Sequence, residues 1–558
     1  MVILLATAFM ALGLVNLDFG RGWWRGQLRR LAIGVPILLV YTYVAMPALV
    51  FPQAFSLLLL TLVPNAVYST LGAARRAVAA RRIVSIRRTP LWPYLIALAC
   101  VALFTAGLAA APVVDASGLR DVADATTSTT LPPAADVGHL RIVPEEAAIF
   151  SGNKVVGQLG TYYRVGDFSV QAENGTLLWV APLEFNGAIQ WLVRRTSPGV
   201  IVVSAEDPNA PAELRRREAM RYIPSALLND NLYRHVYMTY GREQILETTL
   251  QLDDHGDPQY LCTLGRPTIG WSGQVVTAVV IVDPATGAMR RIARADFAQL
   301  PAWVSRVYPP DLALEYNRWF GLYVHGLWNS LFAKRDVHVP ARPEVFGLLA
   351  DGAFVWFVDH TSPESDQSMT GFTYMNARSG ALTYYTSSAG QFNSRGAEAA
   401  VASNPLVRQG RLYPTQPILY NAFGRTTWVV PLVADTGKYQ TLALVDATSG
   451  HVVVGNAASP SPSADAFAQE AAFLGIAPRL TAASGGTPVA GVIDRIGEAA
   501  SGTVYFTLRG AHRIYALRSA TDPTALLARS GDRVRFRSIS AARGIAAASA
   551  LSDTALAP

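Results

Sequence analysis

The hexapeptide Val282-Asp283-Pro284-Ala285-Thr286-Gly287 recurs as Met375-Asn376-Ala377-Arg378-Ser379-Gly380 and as Val445-Asp446-Ala447-Thr448-Ser449-Gly450. The chemistry is local. Asp or Asn caps a turn through its side-chain oxygen, the hydroxyl residue does likewise, and Gly takes a left-handed position before the chain returns as a strand. One copy is weak evidence, but each copy follows a second repeated feature by roughly 20 to 30 residues. That feature is a turn glycine with an aromatic four positions on: Gly175 and Trp179, Gly256 and Tyr260, Gly352 and Trp356, Gly424 and Trp428. The glycines lie 81, 96 and 72 residues apart by subtraction. In the first copy the second strand is Val200 to Val203, and its turn has decayed to Asp207-Pro208-Asn209.

Each copy also begins with a helix-like stretch: Pro144 to Leu159, Ser225 to Tyr240, Pro310 to Phe332 and Glu398 to Gln409. The repeating unit is therefore a helix followed by antiparallel strands, with the helix laid on one sheet face. It resembles the PepSY-like domain, in which a helix precedes strands ending in a Val-Asp-x-x-Thr-Gly turn. The resemblance covers roughly residues 139 to 460 in four divergent copies and implies a fold rather than an activity. PepSY-like domains are associated with peptidase propeptides and with envelope proteins. The whole chain is similar to an uncharacterised family of bacterial multi-helix membrane proteins, through Trp179-Val-Ala-Pro-Leu183, Pro301-Ala-Trp-Val304 and His325-Gly-Leu-Trp-Asn329.

Ahead of the repeats lie four apolar stretches, about Met1 to Leu17, Leu31 to Val50, Phe55 to Leu71 and Leu91 to Ala111, each near bilayer-crossing length. The loops after the first and third carry four and six arginines, and the turn at Phe51-Pro52-Gln53 carries no charge. Arginine-rich loops stay in the cytoplasm. The expected topology is four crossings in the plasma membrane, with the N-terminus and everything after the fourth stretch outside. Pro64 and Asn65 interrupt the third stretch, and such residues sometimes mark transport paths, but no ionisable residue lies within a span.

The chain has 558 residues, 51% of them hydrophobic, and a net charge of +7. Residues 1 to 112 hold ten arginines and one acid, a net of +9, so the remainder carries 7 − 9 = −2. A near-neutral folded region is a poor match to a phosphate backbone, which argues against nucleic acid. From residue 485 onward nine arginines face five acids, strands alternate over Val489 to Ile496, Thr503 to Leu508, Arg513 to Leu517 and Arg533 to Ile539, and Arg529 to Arg535 resembles the strand entry of OB-like barrels.

The expected organisation is an α-helical anchor at 1–112, a flexible linker at 113–138, and α+β repeats at 139–207, 208–295, 296–386 and 387–460. A linker with a short helix at 461–484, an OB-like small β-barrel at 485–540 and a disordered tail at 541–558 complete it.

No metal-binding or nucleophile signature emerges, and no cofactor is expected. The eight histidines are scattered, Cys100 and Cys262 are far apart, and Asp253 to Asp257 coincides with a repeat turn rather than a calcium loop. Two clusters stand out as candidate partner-binding residues. One is Arg221, Tyr222, Asn231, Arg234 and His235, in which Asn231, Arg234 and His235 share a helix face; the other is Trp319, Tyr323, His325, Trp328 and Asn329. Two readings compete: a groove that anchors a protein or peptide partner through aromatics and Arg, or helix-to-sheet packing with polar rims. The expected function is membrane-anchored, extracytoplasmic binding or scaffolding in the bacterial envelope, with the lipid bilayer and a peptide, protein or polymer as partners. An envelope hydrolase with a site between repeats and a regulatory subunit of a membrane transport or secretion assembly are the alternatives.

Overall fold

The computed structural model describes residues 1–17, 22–50, 53–79, 91–133, 135, 139–363, 367–387, 390–422, 424–457, 466, 467, 469, 470, 487–498, 503–510, 513–518, 523–539 and 545–553. It forms two compact bodies, Met1–Ala466 and Phe467–Pro558.

The first body opens with apolar helices α1 (Val2–Ala11), α2 (Trp23–Ala45), α3 (Leu59–Ala79) and α4 (Leu91–Val114). Three runs, Trp23–Ala45, Ala54–Gly72 and Trp92–Val114, are long and apolar enough to cross a membrane. They coincide with three of the four expected crossings, and the first expected stretch holds a shorter apolar helix that runs beside α2, with Thr7 on Thr42 and Asn16 on Trp23. The apolar helix Val2–Leu14 spans only about 20 Å at 1.5 Å per residue, well short of a ~30 Å hydrocarbon core. Its exposed C-terminal backbone is satisfied by side chains of the neighbouring helices. Thr61 Oγ1 donates to Met10 O at 2.8 Å, and Asn65 Nδ2 donates to Gly13 O and Val15 O at 2.9 Å each. Trp23 Nε1 reaches Asn16 O, and the Asn16 N–H finds Gln27 Oε1. A helix that stops among apolar neighbours needs such partners, so Asn65 is a cap for α1.

The linker expectation is corrected too. Directly after α4 comes α5 (Ala116–Val122), whose Ala116 and Leu119 are buried, capped by Asp115 Oδ1 accepting the Gly118 N–H. Then β1 (Ala125–Ser128) pairs in parallel with a strand some 257 residues away. The Thr-rich stretch is an edge strand.

Four helix-plus-sheet modules follow. In the first, α6 (Glu145–Val156) precedes β2 (Tyr163–Val165), β3 (Ser169–Glu173), β4 (Thr176–Phe185), the short helix α7 (Ala188–Arg194), β5 (Ser197–Ser204) and β6 (Glu213–Met220). Since β6 pairs with β5, the boundary expected at 207/208 is displaced beyond 220. In the second, α8 (Leu232–Tyr240) precedes a sheet of order β10-β9-β8-β7, with β7 (Gln244–Leu252), β8 (Pro258–Arg266), β9 (Val275–Val282) and β10 (Met289–Ala293).

The third has α9 (Pro310–Leu322), the turn α10 (Gly326–Trp328), β11 (Val339–Pro340), β12 (Phe346–Ala350), β13 (Ala353–Thr361), β14 (Gly371–Asn376) and β15 (Leu382–Thr386), with β1 added beside β15. The fourth has α11 (Ser394–Ser403), α12 (Pro405–Gln409), β16 (Tyr413–Pro414), β17 (Ile418–Ala422), β18 (Arg425–Val433), β19 (Tyr439–Asp446) and β20 (Val452–Val454).

The repeated tryptophans do the same work in the first, third and fourth modules, while Tyr260 of the second is buried without such a bond. Trp179, Trp356 and Trp428 donate their indole N–H to Val143 O, Tyr308 O and Phe392 O, each just ahead of its module's helix, at 2.8 to 2.9 Å. The second residue of each turn accepts from the same segments: Ala205 from Ile142 and Val143, Pro284 from Arg221 and Tyr222, Ala377 from Val307 and Tyr308, and Ala447 from Phe392. The helix entry is thus clamped by one turn carbonyl in every module, and by an indole as well in the first, third and fourth. In the turns, Gly287, Gly380 and Gly450 sit at φ 77°, 82° and 72°, and a Cβ there would meet the rings of Tyr222, Tyr308 and Phe392 within 2.4 to 2.8 Å. Glycine is required twice, by backbone and by the ring packed over it. The first module uses Ser204 in place of the Asp, its Oγ accepting the Glu206 and Asp207 N–H groups, so the capping residue precedes the Asp207-Pro208-Asn209 stretch. The Phe423 side of the fourth hairpin turn lies outside the described residues.

In the second body β21 (Thr487–Glu498), β22 (Thr503–Leu508), β23 (Ile514–Arg518), β24 (Arg533–Ile539) and β25 (Ile545–Asp553) close into a barrel. Phe506, Tyr515 and Phe536 fill it, with ring centroids 4.8 to 5.6 Å apart. The tail expected to be disordered supplies β25, which closes the barrel by pairing with β24 and, in parallel, with β23. Most of the expected 461–484 linker and helix lies outside the described residues.

Candidate functional site

The first cluster is engaged with its own chain, with Arg221 at its exposed edge. Tyr222 covers Gly287 and packs 4.4 Å from the His235 ring, whose Nε2 donates to Gly287 O at 2.8 Å. Asn231 caps α8 and donates to Pro224 O and Ala226 O, while Arg221 pairs with Asp230 at 2.8 Å. Arg234 reaches the apolar helix α2: its Nε donates to Tyr43 O at 3.2 Å, and its guanidinium lies 4.3 Å over the Tyr43 ring. A cation at the C-terminal end of α2 offsets the partial negative charge of the unpaired carbonyls there. Beside it Tyr237 donates to Pro47 O at 2.8 Å, and burial pushes its phenol up to about 12, so it stays a donor at any ordinary pH. These residues bind the chain itself.

The second cluster divides. Trp319 is buried in α9, and Tyr323 is half-buried at its end. Asn329 ties a loop shut by donating to Val324 O and Arg335 O and accepting the Arg335 N–H. His325, in a left-handed conformation, faces Asp336 at 3.1 Å. Trp328 and Phe332 stack at 5.7 Å and stand 72% and 74% exposed.

Behind the second cluster lies a buried polar chain that sequence reasoning missed. His338 Nδ1 is 2.8 Å from His360 Nδ1, His360 Nε2 is 2.9 Å from Asn317 Oδ1, and Thr373 Oγ1 donates to the same oxygen. Asn317 Nδ2 donates to Ala313 O, which turns its Oδ1 toward His360. His360 must therefore donate through Nε2 and accept at Nδ1, and His338 must donate through Nδ1. Burial, with Arg120 nearby, pushes His338 down to about 4 and holds His360 well below its ordinary range, so the pair is neutral. A cavity of about 360 Å³ beside it is lined by Arg120, Phe320, His338 and Tyr384.

One concave site gathers the repeated hairpin turns. A cleft of about 420 Å³ is lined by Asn174 and Gly175 of the first module, Asp253 and Asp254 of the second, and Gly352 of the third. Trp303 forms one wall. Arg378, the one basic residue in the three turn copies, holds that wall by donating to Leu300 O, Pro301 O and Val304 O at 2.7 to 2.9 Å. Its donors are directed at carbonyls, and Glu173, Asp253 and Asp254 line the space beside it. Glu173 is partly offset by Arg215 at 3.2 Å.

The remaining chemistry is quiet. Cys262 is buried in β8 and burial pushes its thiol up to about 12. Among the described residues no group of three or more His, Cys, Asp and Glu could hold a metal ion. The chain thus belongs, by its own architecture, to proteins that join apolar helices able to cross a membrane to a large α+β region.

No family model matches the chain, and no curated protein matches it. Among solved structures, a complex of BT0996 with RGII is similar at 10% identity, covering 61% of this chain and 81% of that one, with a TM-score of 0.18. An exo-1,5-alpha-L-arabinanase from a bovine ruminal metagenomic library is similar at 11% identity, covering 53% and 76%, with a TM-score of 0.14. Likenesses this slight carry no argument.

Proposed function

We propose that this is a membrane-anchored binding or scaffolding protein of the bacterial envelope, and that the three-module cleft holds a basic segment of a peptide, protein or envelope polymer close to the bilayer. The observation that supports this reading is the convergence of equivalent turns from three modules on one acid-lined cleft with a braced Trp303 wall. Repetition of a turn serves the fold of each module; bringing three of them to one concavity makes a composite surface that no module has alone. The folded region stands outside the cytoplasm on this reading. The ends of α2 and α4 that meet it carry no arginines, and the arginine-rich ends are the opposite ones. PepSY-like modules and an OB-like barrel with surplus arginines suit a holding role. A regulatory role toward the helices is favoured by a separate observation, the grip of Arg234 and Tyr237 on the end of α2.

The test is site-specific photo-crosslinking in cells from positions 254 and 303, with position 234 as the reference. The expected result is one adduct common to 254 and 303, absent from 234, with the adduct at 303 reduced several-fold by Asp254→Asn. No adduct from either cleft position in folded, surface-exposed protein overturns the proposal.

A further inference from the structure

Three exposed apolar patches lie where the membrane helices leave for the folded region. The first is on α7, where Ile189, Leu192 and Val193 are 71%, 55% and 62% exposed along one face. Their buried neighbour Trp191 shares a core with Ile223, Ala226 and Leu232, the segment that grips the end of α2 through Asn229 and Arg234. Leu228 on that segment is itself 59% exposed. The second patch is Trp271, on a turn so close to α4 that a Cβ on Gly270 would lie 2.0 Å from Leu108 O. The third is the Trp328 and Phe332 stack with Leu331, beside α5, which begins two residues after α4 ends.

Water-exposed apolar surface of this kind is costly, and the clusters on α7 and around Trp328 are concentrated enough to mark a contact, with Trp271 lying beside α4. Their composition narrows the contact. Trp328 with Leu331 and Phe332, and the lone Trp271, match the membrane interface, where an amphipathic ring sits at headgroup depth, and α7 adds an aliphatic face. Arg194 and Arg195 close the first patch and Lys334 and Arg335 the third, as anionic headgroups would select. Each patch is also tied through the chain to a helix end that must itself lie near the bilayer surface.

We infer that these three patches are immersed in the lipid interface, so that the folded region rests on the bilayer along a belt rather than hanging from its helices. The lipid is the occupant, and a second copy of the chain is the competing one.

Spin labels test this on the purified full-length protein in liposomes containing anionic lipid. Cys100→Ser removes the exposed thiol, and buried Cys262 stays unlabelled. Labels at Phe332→Cys and Ile189→Cys are compared with Asp254→Cys in the cleft. Immersion predicts several-fold lower collision with a water-soluble nickel chelate at 332 and 189 than at 254, with higher collision with oxygen. Equal nickel accessibility at all three positions overturns the inference. Protection from both reagents with spin-spin broadening also overturns it, by assigning the patches to a second copy.

Discussion

The two aromatic and arginine clusters look alike in composition and helical placement, yet they meet opposite surroundings. Around Arg234 the donors of Arg234, His235 and Tyr237 are directed at backbone carbonyls of the chain, and the cluster is a joint between α8 and the exit of α2. Around Trp328 the polar groups close a loop and leave the rings outside. Composition therefore reports that aromatics and cations are present, and only the availability of backbone carbonyls decides whether they are consumed. An arginine beside a helix C-terminus is consumed; a tryptophan past the end of a helix is left for something else.

The largest effect comes from dividing the second cluster. Trp319→Ala empties a buried site in α9 and is expected to cost about 3 to 5 kcal/mol of module stability. Trp328→Ala in detergent should stay within about 0.5 kcal/mol, as exposed positions do. Thermal unfolding of the two variants measures the contrast. Equal losses would mean that the Trp328 loop is packed in solution and that the contrast between the clusters is false.

The next effect belongs to the pair behind that cluster. His338 falls from an ordinary value near 6.5 to about 4, so the unfolded chain binds the proton first. Stability is full above about 6.5 and is lost as the pH falls toward 4, by roughly 3 kcal/mol for this group. His360, lowered for the same reason, adds in the same direction. Unfolding free energy measured across that window should flatten in His338→Gln, and an unchanged slope would show that the pair does not govern acid sensitivity.

What was legible in the sequence follows from distance along the chain. The Asp283, Asn376 and Asp446 turns are local devices, so their role and spacing could be read directly. The partners of Trp179 and Trp356 lie 36 and 48 residues upstream, which left those rings visible as a repeat but not as clamps. The first apolar stretch was legible as apolar, but nothing within it shows that Asn65 and Thr61 cap its helix short of Asn16. Residues 125 to 128 looked like a spacer because an edge strand borrows its order from Leu382–Thr386. The cleft was out of reach for the same reason: its turns were found, but their convergence depends on how three modules pack. Arg378 left one usable trace, a cation in a turn whose other copies have none.

The smallest effect tests the joint itself. Arg234→Met keeps the apolar stem but removes the donors to Tyr43 O and Leu228 O and the cation over the Tyr43 ring. The expected cost is about 1 to 2 kcal/mol, felt locally rather than across the fold. The amide to watch is Leu49, which donates to Gly241 O at 2.9 Å just past the gripped helix end. Its hydrogen exchange in micelles should quicken by about tenfold, since roughly 1.4 kcal/mol corresponds to that factor. Pairing Arg234→Met with Tyr43→Leu isolates the contact, with an expected coupling of about 1 kcal/mol. Trp328→Ala should leave Leu49 exchange unchanged. A Leu49 amide indifferent to Arg234→Met would show that the α2 exit is held by Tyr237 and backbone alone, and both clusters would then be packing features without a joint between them.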